Sequence, residues 1–144
     1  MEYYFYNIEK FTNLELLKEI TNIGVWTGGS VICTFTNDIE NISDIDIFTD
    51  TSRKGYQILD IIKKYDNNVV FKSLYGYKTS SIVNCSIKNS KEIQIIIKKY
   101  KNWYDIIEGF DFDYIQCGFH NDELYFSKNF RDSYKNKKIN YFYY

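Results

Sequence analysis

Two aspartates, Asp44 and Asp46, stand in the run Ser43-Asp44-Ile45-Asp46-Ile47-Phe48. Polar and apolar residues alternate there as on a strand with one buried face, so both carboxylates point the same way. Carboxylates at i and i+2 of a strand are near enough to share divalent ions roughly 3.5 to 4 Å apart, as in-line phosphoryl transfer needs. The competing reading is the solvated face of an edge strand. Upstream, Gly28-Gly29-Ser30 follows the strand candidate Val25-Trp26-Thr27 and precedes a short helix over Val31 to Phe35. Glycines at a strand-to-helix turn let the backbone approach a ligand, and the helix start offers free N–H groups to an anion. The tripeptide therefore fits a phosphate cradle with the Ser30 hydroxyl as a further donor. An ordinary turn is the alternative.

The glycine turn, the thirteen residues from Val31 to Ser43 and then Asp-Ile-Asp on the next strand together resemble the nucleotidyltransferase superfamily of DNA polymerase beta type. The likeness extends over about Ile23 to Ser127, taking in Ile93-Gln94-Ile95-Ile96 and Gly109-Phe110-Asp111-Phe112-Asp113. It is similar there to small nucleotidyltransferase-like proteins of large DNA viruses and phages. In that superfamily the glycine turn holds a nucleoside triphosphate. Its paired aspartates bind two magnesium ions that activate a hydroxyl and stabilise the leaving pyrophosphate. The resemblance thus implies nucleotide-phosphate binding by Gly28, Gly29 and Ser30, and Mg²⁺ or Mn²⁺ on Asp44 and Asp46.

The superfamily also carries a third acidic residue on a neighbouring strand, and the matching position here is Gln94. Glutamine can coordinate through its carbonyl oxygen but cannot take a proton or supply charge. Glu92 lies on the same face about 6 to 7 Å earlier along the strand. Asp113 is ranked above Glu92 and Asp111 as the third catalytic and metal-binding carboxylate, since Asp113, Ile115 and Cys117 would share one face of a strand. A local cap or turn role for Asp113 is the alternative.

Other candidates carry less. Arg53 and Lys54 begin the helix after the aspartate strand and can reach a triphosphate, or stay solvated. Lys98, Lys99 and Lys101 with Trp103 and Tyr104 have the character of a single-strand nucleic-acid surface, though an ordinary amphipathic junction is preferred. The single histidine, His120, falls in a hairpin turn and reads as exposed and idle. Cys33, Cys85 and Cys117 are odd in number and widely spaced, as reduced core thiols are.

The elements that must position these residues follow from periodicity. A helix is expected over residues 13 to 21, with Thr12 and Glu15 as a capping box, and Gly24 stops the segment. A second runs from Ser52 to Tyr65, capped by Thr51 or Ser52. Val69 to Leu74 reads as a strand, and Ile82 to Ile87 with Glu92 to Ile97 as an antiparallel hairpin. Asn102 caps a short helix through Glu108, which Gly109 ends. Phe110 to Phe119 and Leu124 to Ser127 form a further hairpin, followed by a basic helical turn from Lys128 and a tail over Ile139 to Tyr144. Strands alternating with helices, then hairpins, predict an α/β or α+β fold: a single domain over 1–144, with a mixed sheet flanked by helices.

Composition bounds the rest. At 144 residues the chain can bury one core, and 44% hydrophobic residues exclude a disordered chain. A net charge of −1 excludes a general trap for nucleic acid. Ile, Lys, Tyr, Asn and Phe account for 77 residues and Ala for none, which points to AT-rich codons and discounts the Tyr-rich ends. No basic leader or membrane-length apolar run is found, so a cytoplasmic protein is expected, one that can act inside an infected host cell.

Together these readings lead to a minimal nucleotidyltransferase fold. It would be a metal-dependent enzyme moving a nucleotidyl group from an NTP such as ATP to a hydroxyl on RNA, protein or a small molecule. The alternative, argued from Gln94, is a catalytically silent module that binds a nucleotide or a protein partner, including an antitoxin-like role.

Overall fold

In the computed structural model, residues 2–75 and 81–135 are described; the tail expected over Ile139 to Tyr144 lies outside them. The elements in chain order are α1 (Glu2–Ile8), α2 (Leu14–Thr21), β1 (Val25–Thr27), α3 (Gly29–Phe35), β2 (Asp44–Thr49), α4 (Ser52–Tyr65) and β3 (Val70–Tyr75). Then come β4 (Ser81–Ser86), β5 (Glu92–Ile97), α5 (Trp103–Glu108), β6 (Cys117–His120), β7 (Glu123–Phe126) and α6 (Lys128–Lys135). The strands form one mixed sheet in the order β3-β4-β5-β2-β1-β6-β7. β2 and β5 are parallel and the other neighbours antiparallel. The α+β expectation holds.

Alternation decides which face is buried. Ile45 and Ile47 of β2 pair with Ile93 and Ile95 of β5, and Trp26 of β1 pairs with Ile47 and Phe119. All six are fully buried and share a core with Tyr4 and Ile8 of α1, Leu17 and Ile20 of α2, and Ile58 and Ile62 of α4. At about 1.5 to 3 kcal/mol per buried large apolar side chain, this face holds the fold together. The opposite face carries Asp44, Asp46, Glu92 and Gln94. Along it, α5 meets the sheet at Gly118.

Two helix starts behave as their caps dictate. The Thr51 hydroxyl accepts from the Lys54 N–H at 3.2 Å, and the Asn102 side chain accepts from the Tyr104 N–H at 3.0 Å. For α2 the cap is Asn13 rather than Thr12: its side chain accepts from the Leu16 N–H at 3.1 Å. No element is expected over α1 from the sequence, where the Tyr-rich start is discounted. Its stability comes from tertiary contact, since it runs alongside α3 with a constant offset. The Tyr4 hydroxyl donates to the Val31 carbonyl, the Asn7 amide to the Thr34 carbonyl and the Lys10 ammonium to the Asn37 side chain.

The strand expected over Phe110 to Phe119 is shorter. Residues Asp113–Ile115 form a 3-10 turn, with strand only from Cys117. The buried Gln116 explains the break, because its amide donates to the Phe110 carbonyl at 2.9 Å and its carbonyl accepts from Ser127 at 2.7 Å.

The close approach of α5 to β6 needs a residue without a side chain. A Cβ on Gly118 would lie 2.5 Å from Ile107 Cδ1 and 3.2 Å from the Trp26 carbonyl. Gly118→Ala is expected to lower stability by about 1 to 3 kcal/mol in urea unfolding. Gly29→Ala, whose Cβ meets nothing within 4 Å, serves as the control and is expected to cost nothing.

Candidate functional site

The site residues are brought together by register. Across the sheet, Asn84, Gln94, Asp46, Thr27 and Gly118 stand opposite one another in turn, so their side-chain positions form one row on the open face. One row toward the start of β2, Asp44 stands opposite Glu92. Asp44 and Asp46 thus face the same way, as alternation requires, with Glu92 beside the first and Gln94 beside the second.

Gly28 closes the row from above. Its φ of 97° is open to glycine at little cost, and a Cβ there would sit 3.6 Å from Asp46 Oδ2. The glycine turn and the aspartate strand therefore meet, as their order in the sequence suggested. Gly29 is exposed at the first position of α3. Ser30 is instead turned into the core, where its hydroxyl oxygen accepts from the Trp26 indole N–H at 2.8 Å. That bond ties the turn to the centre of the fold.

Asp46 is the electrostatically costly member. Burial, with the Asp44 carboxylate adding to it, pushes its carboxyl up from 3.8 to about 6. Its Oδ1 is enclosed and has no hydrogen-bond partner among the described residues, and the same holds for Asn84 Oδ1 in the same row. Thr27 offers Asp46 nothing, since its hydroxyl donates to the Cys117 carbonyl at 2.6 Å. Asp44 accepts from the Ser43 hydroxyl at 3.3 Å and Glu92 from Ser86 at 3.5 Å. The three carboxylates of Asp44, Asp46 and Glu92 thus stand with the two side-chain amides of Asn84 and Gln94.

Asp113 sits in the 3-10 turn, where its Oδ2 accepts from the Ser133 hydroxyl of α6 at 2.6 Å. Among the described residues no three His, Cys, Asp or Glu side chains form a group that could hold a metal ion. Nor is there an activated thiol: burial pushes Cys85 up to about 12 and raises Cys33 and Cys117.

His120 is engaged, contrary to its reading as idle. Its Nδ1 lies 2.8 Å from the carbonyls of both Thr21 and Gly24, so Nδ1 carries a proton, and the Trp103 ring packs on it with centroids 5.3 Å apart. It joins the β6–β7 turn to the end of α2. No signal in the sequence tied His120 to those carbonyls, which are distant in the chain. Arg53 and Lys54 are exposed at the start of α4, and Lys54 pairs with Asp50 at 3.0 Å. Among the described residues no helix is long and apolar enough to cross a membrane.

The family model described as Gad2, Gabija anti-defense 2 family protein, matches residues 2–137. No curated protein and no solved structure matches the chain. The match corrects the resemblance to the nucleotidyltransferase superfamily, since the family that covers nearly the whole chain is an anti-defense family. The readings of an enzyme, of nucleotidyl transfer and of magnesium-dependent ATP use fall with it. The physical reason lies in what the motifs specify. A positive-φ glycine before a helix and an alternating Asp-Ile-Asp strand define a local backbone geometry, and such geometry does not fix a function.

Proposed function

Since the chain belongs to the Gabija anti-defense 2 family, we propose that it counteracts a Gabija defense by binding a protein of that defense, without a reaction of its own. The observation that carries this is the family match over residues 2–137. Two features of the site support binding over catalysis. Gln94, which cannot act as a base, stands beside Asp46 in the register, and the Ser30 hydroxyl is committed to Trp26 inside the core.

Expression of the chain in cells protected by a Gabija system is expected to abolish that protection. Protection that persists with the chain present and folded overturns the proposal. Titration separates binding from catalysis. A binder blocks purified Gabija proteins only as it approaches about one chain per target, because each target must be occupied. Full inhibition far below that ratio would establish turnover and sink the non-catalytic reading.

A further inference from the structure

Beyond Asp46 on the open face, β2 leads into a second recess. Phe48 and Phe110 meet edge to face with centroids 6.4 Å apart, and with Ile106 they floor a cavity of about 280 Å³. Lys98, Lys99 and Tyr100 form its wall. The Lys98 N–H donates to the Thr49 carbonyl at 2.9 Å, so the lysines are held where β5 leaves the sheet. Both are exposed, as is Lys101, and none of the three pairs with a carboxylate among the described residues. The volume lies just under the range of drug-sized ligand pockets and suits one large side chain.

We propose that this recess docks an acidic segment of the protein partner, which inserts one apolar side chain over Phe48 and Phe110 and sets its carboxylates against Lys98 and Lys99. The inference rests on the protein-binding reading above. Charge selects the occupant: the lysine lip attracts carboxylates, while Asp44, Asp46 and Glu92 at the other end of the same face repel them, which fixes where the segment sits. Single-stranded nucleic acid fits less well. An edge-to-face ring pair leaves no flat stacking platform for a base, whereas Asp105 in the same cavity wall opposes carboxylate and phosphate alike and keeps the segment's charges on the lysine side.

The test measures affinity of the intact chain for purified Gabija proteins by titration calorimetry, with the melting temperature of each variant as a folding control. The Lys98→Glu/Lys99→Glu variant is expected to bind about tenfold more weakly or worse, and Lys98→Arg/Lys99→Arg to bind as wild type, since only the charge is required. Raising the salt should weaken wild-type binding, because exposed charges are screened. Equal binding by wild type and the Glu variant overturns this inference and leaves the function standing. Loss in the Arg variant also overturns it. No binding by wild type overturns both readings. Tight wild-type binding of a fluorescent single-stranded oligonucleotide that the Glu variant loses, with protein binding unchanged, assigns the recess to nucleic acid.

Discussion

Trp26→Ala is expected to lower stability by about 3 to 5 kcal/mol, the range for deleting a large buried aromatic ring. The ring is fully buried, and its centroid lies 5.9 Å from that of Tyr4 and 6.2 Å from those of Phe11 and Phe119. It thus joins α1, the segment before α2, and β6 through one side chain. The variant also leaves the Ser30 hydroxyl without the indole N–H it accepts from. With folded domains commonly stable by about 5 to 15 kcal/mol, much of the margin goes. Trp26→Phe separates the contributions, because it keeps a ring but strands the Ser30 oxygen, for about 1 to 3 kcal/mol. Urea unfolding followed by far-UV circular dichroism measures both. A loss below about 2 kcal/mol for the Ala variant would mean the core collapses around the gap.

Asp46→Asn is expected to act in the other direction. A carboxyl raised from 3.8 to about 6 is harder to ionise in the folded chain than in the unfolded one. Above pH 6 it is ionised in both states, and the full cost of the buried charge weighs on the fold. Between about pH 6 and 4 the folded chain takes up a proton before the unfolded one does, so the cost fades, and below about 4 it is gone. Two pKa units correspond to about 3 kcal/mol. The Asn variant should therefore be more stable than wild type by up to about 3 kcal/mol at pH 7.5. That advantage should shrink toward zero near pH 4. An advantage that is absent at pH 7.5, or that does not change with pH, would show that Asp46 carries no buried-charge cost. A chain that retains such a group in its native form forgoes stability at that position, as binding and active sites do.

Much of the fold was legible where a residue acts on its near neighbours. Thr51 and Asn102 cap their helices through side chains that reach two or three residues ahead. The β-rich run Glu92 to Ile97 coincides with β5 at both ends. What the sequence concealed is set by distant contacts. α1 depends on α3 for its hydrogen bonds, and the interrupted strand near Asp113 depends on Gln116 reaching Ser127. The site divides along the same line. That Asp44 and Asp46 share a face follows from alternation, and the meeting of Gly28 with Asp46 from the order of strand and turn. That Ser30 serves the core depends on a Trp26 side chain whose direction is fixed by Ile47 and Phe119 across the sheet. The function is not legible in Gly-Gly-Ser and Asp-Ile-Asp because they specify a backbone geometry, whereas the family match extends over residues 2–137.

The strand order carries a consequence for how the chain is made. β1 and β2 can pair soon after both leave the ribosome, but their outer edges wait for β6 and β5, which are synthesised much later. The bond from Thr27 Oγ1 to the Cys117 carbonyl spans 90 residues. At translation rates of about 5 to 20 residues per second, the interval is roughly 5 to 20 s. Once β2 is complete at Thr49, a ribbon bearing Trp26, Ile45 and Ile47 has its β2 edge open until β5 is made and its β1 edge open until β6 is made, and open edges are the template on which nascent chains aggregate. Slowing translation after Thr49 lengthens the exposure, and a chaperone that holds the nascent ribbon covers its edges for that time.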